Sequence, residues 1–168
     1  MRSLHLSLLA AVLFVHSAPA QSASYAYFGA GVGCSSPPLT VSGLPTLGGT
    51  FSVQTWSSVG TPGFSGWSLT MVATGFSNQD WGGVPLPYTL PFAPACGSVL
   101  VSPDVLLPVP ATNPGGFASV PFAVPNDASL LGMTFYQQVP RLYTSCMKMG
   151  CFGPFLQLSV GGQGVIGN

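Results

Sequence analysis

Apolar and polar residues alternate one by one along much of this chain, and that period of two limits what it can fold into. In "TFSVQ", Phe51 and Val53 fall on one face and Ser52 and Gln54 on the other. "WSLTMVA" sets Trp67, Leu69, Met71 and Ala73 together, with Ser68 and Thr70 opposite. "ASVPFAV" aligns Ala118, Val120, Phe122 and Val124, and "FLQLSV" aligns Leu156, Leu158 and Val160. Successive side chains of a strand point to opposite sides, so each segment reads as a strand with one buried face. Helical periodicity is almost absent. Turn-forming breaks such as "SSPP", "LGG", "VGTPGFSG", "NPGG" and "PND" separate the strand candidates. The pattern predicts an all-β fold, an antiparallel immunoglobulin-like β-sandwich of about 7–9 strands.

Proline refines the expectation, because it cannot donate to a ladder. Pro103 and Pro108 flank "DVLL" and Pro121 interrupts "ASVPFAV", so these segments belong at edges or bulges. "PLPYTLPFAPAC", with four prolines, reads as an extended connection. "PNDASLLGMTFYQQ" joins a polar turn, a short apolar turn, Gly132 and an alternating strand with Tyr136. That order resembles the tyrosine corner of immunoglobulin-like sandwiches, with Gln138 where a cysteine is usual.

The first twenty residues read as a signal peptide rather than as part of the fold. Arg2 gives a positive start, "LSLLAAVLFV" is a short apolar run, and Ala18-Pro19-Ala20 marks cleavage after about Ala20. Residues 21–168 then form a single β-sandwich domain, secreted or held at the cell surface. Beyond the leader there is no histidine, and the whole chain has no glutamate. Arg141 and Lys148 face Asp80, Asp104 and Asp127, a formal charge of −1. Nucleic acid and anionic membranes need clustered cations, so neither is an expected partner. No apolar run after the leader is long enough to span a bilayer, and an outer-membrane barrel would want long, proline-poor strands.

Four cysteines in an exported chain read as two disulfides, with three possible pairings. Cys146 and Cys151 are near enough in sequence to close the small loop "CMKMGC", which leaves Cys34 with Cys96. By chain entropy the long loop contributes about 4 kcal/mol and the short one roughly 2 kcal/mol.

"YFGAGVGC", "GFSNQDWGGVPLP", "CGSVLVSPDVLLP" and "VPNDASLLGMTFYQQ", in that order, resemble a family of bacterial secreted domains of uncharacterised function. The likeness runs from about Tyr25 to Gln138, and the ending "GGQGVIGN" fits it too. It implies a Cys34–Cys96 pair and carries no catalytic or ligand residue. "RLYTSCMKMGCFGPF" departs from the cysteine-free stretch usual there.

Candidate chemistry is sparse. Without histidine a Ser-His-Asp or Cys-His device is impossible, and a two-carboxylate hydrolase would have to draw on Asp80, Asp104 and Asp127. Each of these stands in a turn-like context where aspartate bonds nearby backbone N–H groups. The chain is therefore read as non-catalytic, with no cofactor. Met147 and Met149 with Cys146 and Cys151 make a soft set suited to Cu(I), but an oxidising compartment favours the disulfide. A Ca²⁺ site would need the scattered aspartates to converge. The remaining candidate is a ligand-binding loop of Asn78, Gln79, Asp80 and Trp81, since sugars stack on aromatic faces and bond to Asp, Asn and Gln. Trp56, Trp67, Tyr136 and Tyr143 offer further rings, with Trp67 expected in the core. The expected function is a structural or interaction module, with other exported proteins, itself or extracellular polysaccharide as partners. Carbohydrate binding through Trp81 is the alternative.

Overall fold

The structure, a computed structural model, describes residues 21–29, 37–56, 68–91, 97–110, 117–147 and 150–168, with only the backbone for Trp56, 145–147 and 150–152. Residues 1–20, Cys34, Cys96 and Trp67 lie outside the described residues, and with them the expected leader and the expected long-range disulfide. The strands are β1 (Ser24–Phe28), β2 (Thr40–Ser42), β3 (Thr50–Trp56), β4 (Ser68–Gly75), β5 (Asp80–Trp81) and β6 (Val84–Pro85). There follow β7 (Val105–Pro108), β8 (Phe117–Ala123), β9 (Thr134–Gln138), β10 (Pro140–Met147), β11 (Gly150–Leu158) and β12 (Gly161–Val165). A 3₁₀ turn over Ala128–Leu130 is the one helical element among the described residues. No helix there is long and apolar enough to cross a membrane.

All pairings between these strands are antiparallel. The larger sheet runs β1-β12-β9-β4-β10-β11, with β7 also on β4, and the smaller runs β2-β3-β8. The twelve strands among the described residues exceed the seven to nine expected, for two reasons. First, β9 and β10 meet β4 in one unbroken register, from Gly75↔Tyr136 to Ser68↔Tyr143, so they are one long strand interrupted at Val139. Second, β11 and β12 run back along them with a one-residue register shift between the two, and β5 and β6 contribute only two residues each.

The alternation in β3 and β8 is reproduced side chain by side chain. Phe51, Val53 and Thr55 are buried on β3, and Ala118 and Val120 on β8, with polar or exposed residues between them. Pro121 and Pro108 lie on β8 and β7, strands with one partner each among the described residues, where a missing donor does least harm. On β4 the reading is inverted. Thr70 and Val72 are buried in register with the core, whereas Leu69 is 41% exposed. Met71, Ala73 and Gly75 occupy the other face of β4 from Val72, and Ala73 and Gly75 are buried as well. A central strand covered on both faces is apolar on both, so alternation cannot tell which face is the inner one.

One cluster joins the sheets. Phe51 and Val53 of β3 and Val120 of β8 pack with Val72, Phe135 and Val139 of the larger sheet. Phe51 lies 5.5 Å from Phe135 and stacks on Phe122 at 5.3 Å between ring centroids. The "GGQGVIGN" ending becomes β12, wedged between β1 and β9. A Cβ at Gly162 would overlap Tyr25, and one at Gly164 the Phe135 ring. Glycine there lets aromatic rings from both neighbouring strands lie flat across the backbone.

Candidate functional site

β4 ends where it must pass close to another segment. A Cβ at Gly75 would collide with the Ser102 backbone, so glycine is required before the chain leaves the sheet. The next residues are fastened at once. Phe76 N–H donates to the Asp104 carboxylate at 3.0 Å, and Ser77 N–H to the Ser102 hydroxyl at 3.1 Å. The Ser77 hydroxyl accepts from the backbone N–H groups of Gln79 (3.2 Å) and Asp80 (3.1 Å). Serine and aspartate perform the local side-chain-to-backbone bonding that favours them in turns.

Asp80, Trp81, Val84 and Pro85 then form a minimal hairpin, with Asp80 opposite Pro85 and Trp81 opposite Val84. Gly82 and Gly83 have φ of +57° and +86°, the two positive values that a type I′ turn demands. Nothing lies within 4 Å of a Cβ built on either, so conformation alone selects glycine at both positions. The Asp80 carboxylate accepts the Gly83 N–H at 3.0 Å, and Leu86 N–H donates to Gln79 O at 2.8 Å. On this frame Trp81 is 47% exposed, with Gln79 and Asp80 exposed beside it and Asn78 half-buried. The four predicted residues are thus adjacent on one tied-down projection.

Every aspartate accepts backbone N–H groups. Asp104 takes Phe76 N–H and also the Ser102 hydroxyl at 2.9 Å. Asp127 caps the 3₁₀ turn through Ser129 N–H at 2.9 Å, and bonds from Ser129 hold its carboxyl below the usual range. Among the described residues no three potential metal ligands come together. Cys146 and Cys151 stand directly opposite each other in the backbone register of β10 and β11. Their side chains, and Met149, lie outside the described residues. Tyr136 packs edge-on against Phe28, and Tyr143 packs on Phe155 with the Arg141 guanidinium 5.4 Å from its ring centre.

The polar side chains that organise the protein most strongly escape the sequence reading. Gln137 and Gln138 are 0% and 2% exposed, on opposite faces of β9. Gln137 accepts from the Tyr25 hydroxyl at 3.0 Å and donates to Thr74 Oγ1 at 3.2 Å, facing the core. Burial raises the pKa of that tyrosine. Gln138 donates to Ser98 O (2.9 Å) and Ser159 O (2.8 Å) and accepts from Leu100 N–H (3.0 Å). It stitches the 97–102 segment over the outside of the larger sheet. Two adjacent glutamines in an alternating strand carry no sign of burial, because only a sheet covered on both sides buries both.

No known protein family, characterised protein or solved structure matches this chain.

Proposed function

We propose that this protein is a secreted, non-catalytic interaction module of the extracellular space or cell surface, built as a disulfide-stapled immunoglobulin-like sandwich. The observation that carries the reading is the exposed tryptophan on a preformed hairpin. A ring held at the tip of a rigid turn loses little conformational freedom on docking, which suits it as a contact residue. The non-catalytic part rests on chemistry: no histidine or glutamate follows residue 20, and all three aspartates already bind backbone N–H groups. The likeness to bacterial secreted domains carried by the quoted motifs points the same way.

The sandwich reading is supported by a core cluster fed from two antiparallel sheets. Directly opposed residues of an antiparallel pair have Cα atoms about 4.5–5.5 Å apart, within the range a disulfide needs. The register of Cys146 and Cys151 therefore favours their pairing, and Cys34 with Cys96 completes the set. Non-reducing peptide mapping tests this; a Cys34 link to Cys146 or Cys151 would refute it.

A carbohydrate partner is the second reading, favoured by Gln79 and Asp80 being exposed next to Trp81. Titration with a polysaccharide panel, read by tryptophan fluorescence, separates the two. A saturable shift lost in Trp81→Ala supports sugar binding. A silent panel, with Trp81→Ala folded and a protein partner lost, supports protein–protein contact.

A further inference from the structure

At one end the space between the two sheets stays open as an apolar cavity of about 300 Å³. Phe51, Phe122 and Phe135 supply its aromatic wall, and Leu130, Ile166 and Val124 close it. Phe76 and Met133, 63% and 39% exposed, also line it and leave it accessible. Among the described residues, its polar side chains, Thr74 and Gln137, are bonded to each other, and Gln137 is also bonded to Tyr25. Nothing in the lining therefore calls strongly for water. A volume of this size, open at its rim, suits an apolar body of about two rings.

Among the described residues, the charged groups next to the lining are carboxylates. The Asp104 carboxylate is bonded to the N–H of Phe76, a lining residue. Asp127 caps the 3₁₀ turn whose last residue, Leu130, lines the cavity. Two of the three carboxylates thus belong to residues adjoining the lining, and among the described residues no lining residue is cationic. Arg141 sits on β10 opposite Thr70, two pleat repeats along β4 from Thr74.

We propose that this cavity binds a small amphiphile with an apolar body of about two rings, or an acyl chain of equal volume, and a cationic head. The body enters between Phe76 and Phe122, and the head remains at the rim with Asp104 and Asp127. This site is separate from the Trp81 hairpin and does not depend on the interaction-module reading.

The test uses the neutral two-ring naphthalene probe prodan, displaced by decyltrimethylammonium or by decanoate below their micelle concentrations. The probe is expected to brighten saturably, and the cation to displace it at a concentration at least about tenfold lower than decanoate. Ala123→Trp, at an exposed lining position, is expected to abolish probe binding; Phe76→Ala, also exposed, is expected to weaken it severalfold. Asp104→Asn with Asp127→Asn keeps acceptors for the backbone N–H groups and is expected to bring the two displacers level, with probe affinity unchanged. Trp81→Ala leaves all of this intact. Absence of probe binding, insensitivity to both lining variants, or equal displacement by decanoate overturns the proposal. So does self-association lost in Ala123→Trp without probe binding, which would make a second copy the occupant.

Discussion

Asn78-Gln79-Asp80-Trp81 and Tyr136-Gln137-Gln138 are built from nearly the same residue types, yet they do opposite things. The first projects from the sheet, and its polar side chains meet water or their own turn. The second is threaded through the middle of the protein, and its amides bond to groups 21 to 112 residues away in sequence. Polar character thus says little about whether a residue binds a ligand or holds the protein together. Burial on both faces of β9 decides it. A buried amide in a water-poor site is costly if unpaired, so its partners are fixed, whereas an exposed amide is free to exchange partners.

That contrast breaks most sharply at Gln138. Replacing it with Leu strands three backbone groups under the 97–102 segment, and urea unfolding is expected to show a loss of about 3 kcal/mol or more. A loss below about 1 kcal/mol would mean the segment does not depend on this side chain. Gly164→Ala, which pushes a methyl into the Phe135 ring, is expected to cost about 1–3 kcal/mol in the same assay. A neutral result would show that the rings over β12 can move aside.

Titration gives a third test. The folded state holds Tyr25 neutral, so its pKa is raised above the unfolded value. Its stabilisation is complete below about pH 10 and falls, as pH rises further, by about 1.4 kcal/mol per unit. Unfolding measured from pH 9 to 11 should show this slope, and Tyr25→Phe should flatten it. On the hairpin the effects are smaller. Gly83→Ala forces a Cβ into positive φ and is expected to cost about 1 kcal/mol. Smallest of all, Trp81→Ala is expected to change stability by no more than about 0.5 kcal/mol, since half the ring is already in water. A large loss there would make Trp81 a structural residue and end its candidacy as a contact.

Much of the fold was legible beforehand. The faces of β3 and β8, the marginal places of Pro108 and Pro121, and the turn chemistry of Gly82-Gly83 all follow from period two and from what proline and glycine do to a backbone. The inner face of β4 did not follow, because Leu69-Thr70-Met71-Val72 offers apolar residues at both parities and the covering 97–102 segment is distant in sequence. The candidate loop was legible as a polar turn, and the exposure of Trp81 on it was not. Nothing local to β5 fixes it; exposure results from where β4 ends and from the bonds to Ser102 and Asp104 that set the turn's exit.

The sequence by itself determined the strands, their edges and the turns, because alternation and backbone chemistry act within a few residues. Tertiary structure alone decided that Gln137 and Gln138 are buried, that Trp81 meets solvent, and that an apolar cavity opens between the sheets. Those outcomes depend on segments more than twenty residues apart arriving at the same place, and no local pattern encodes that meeting.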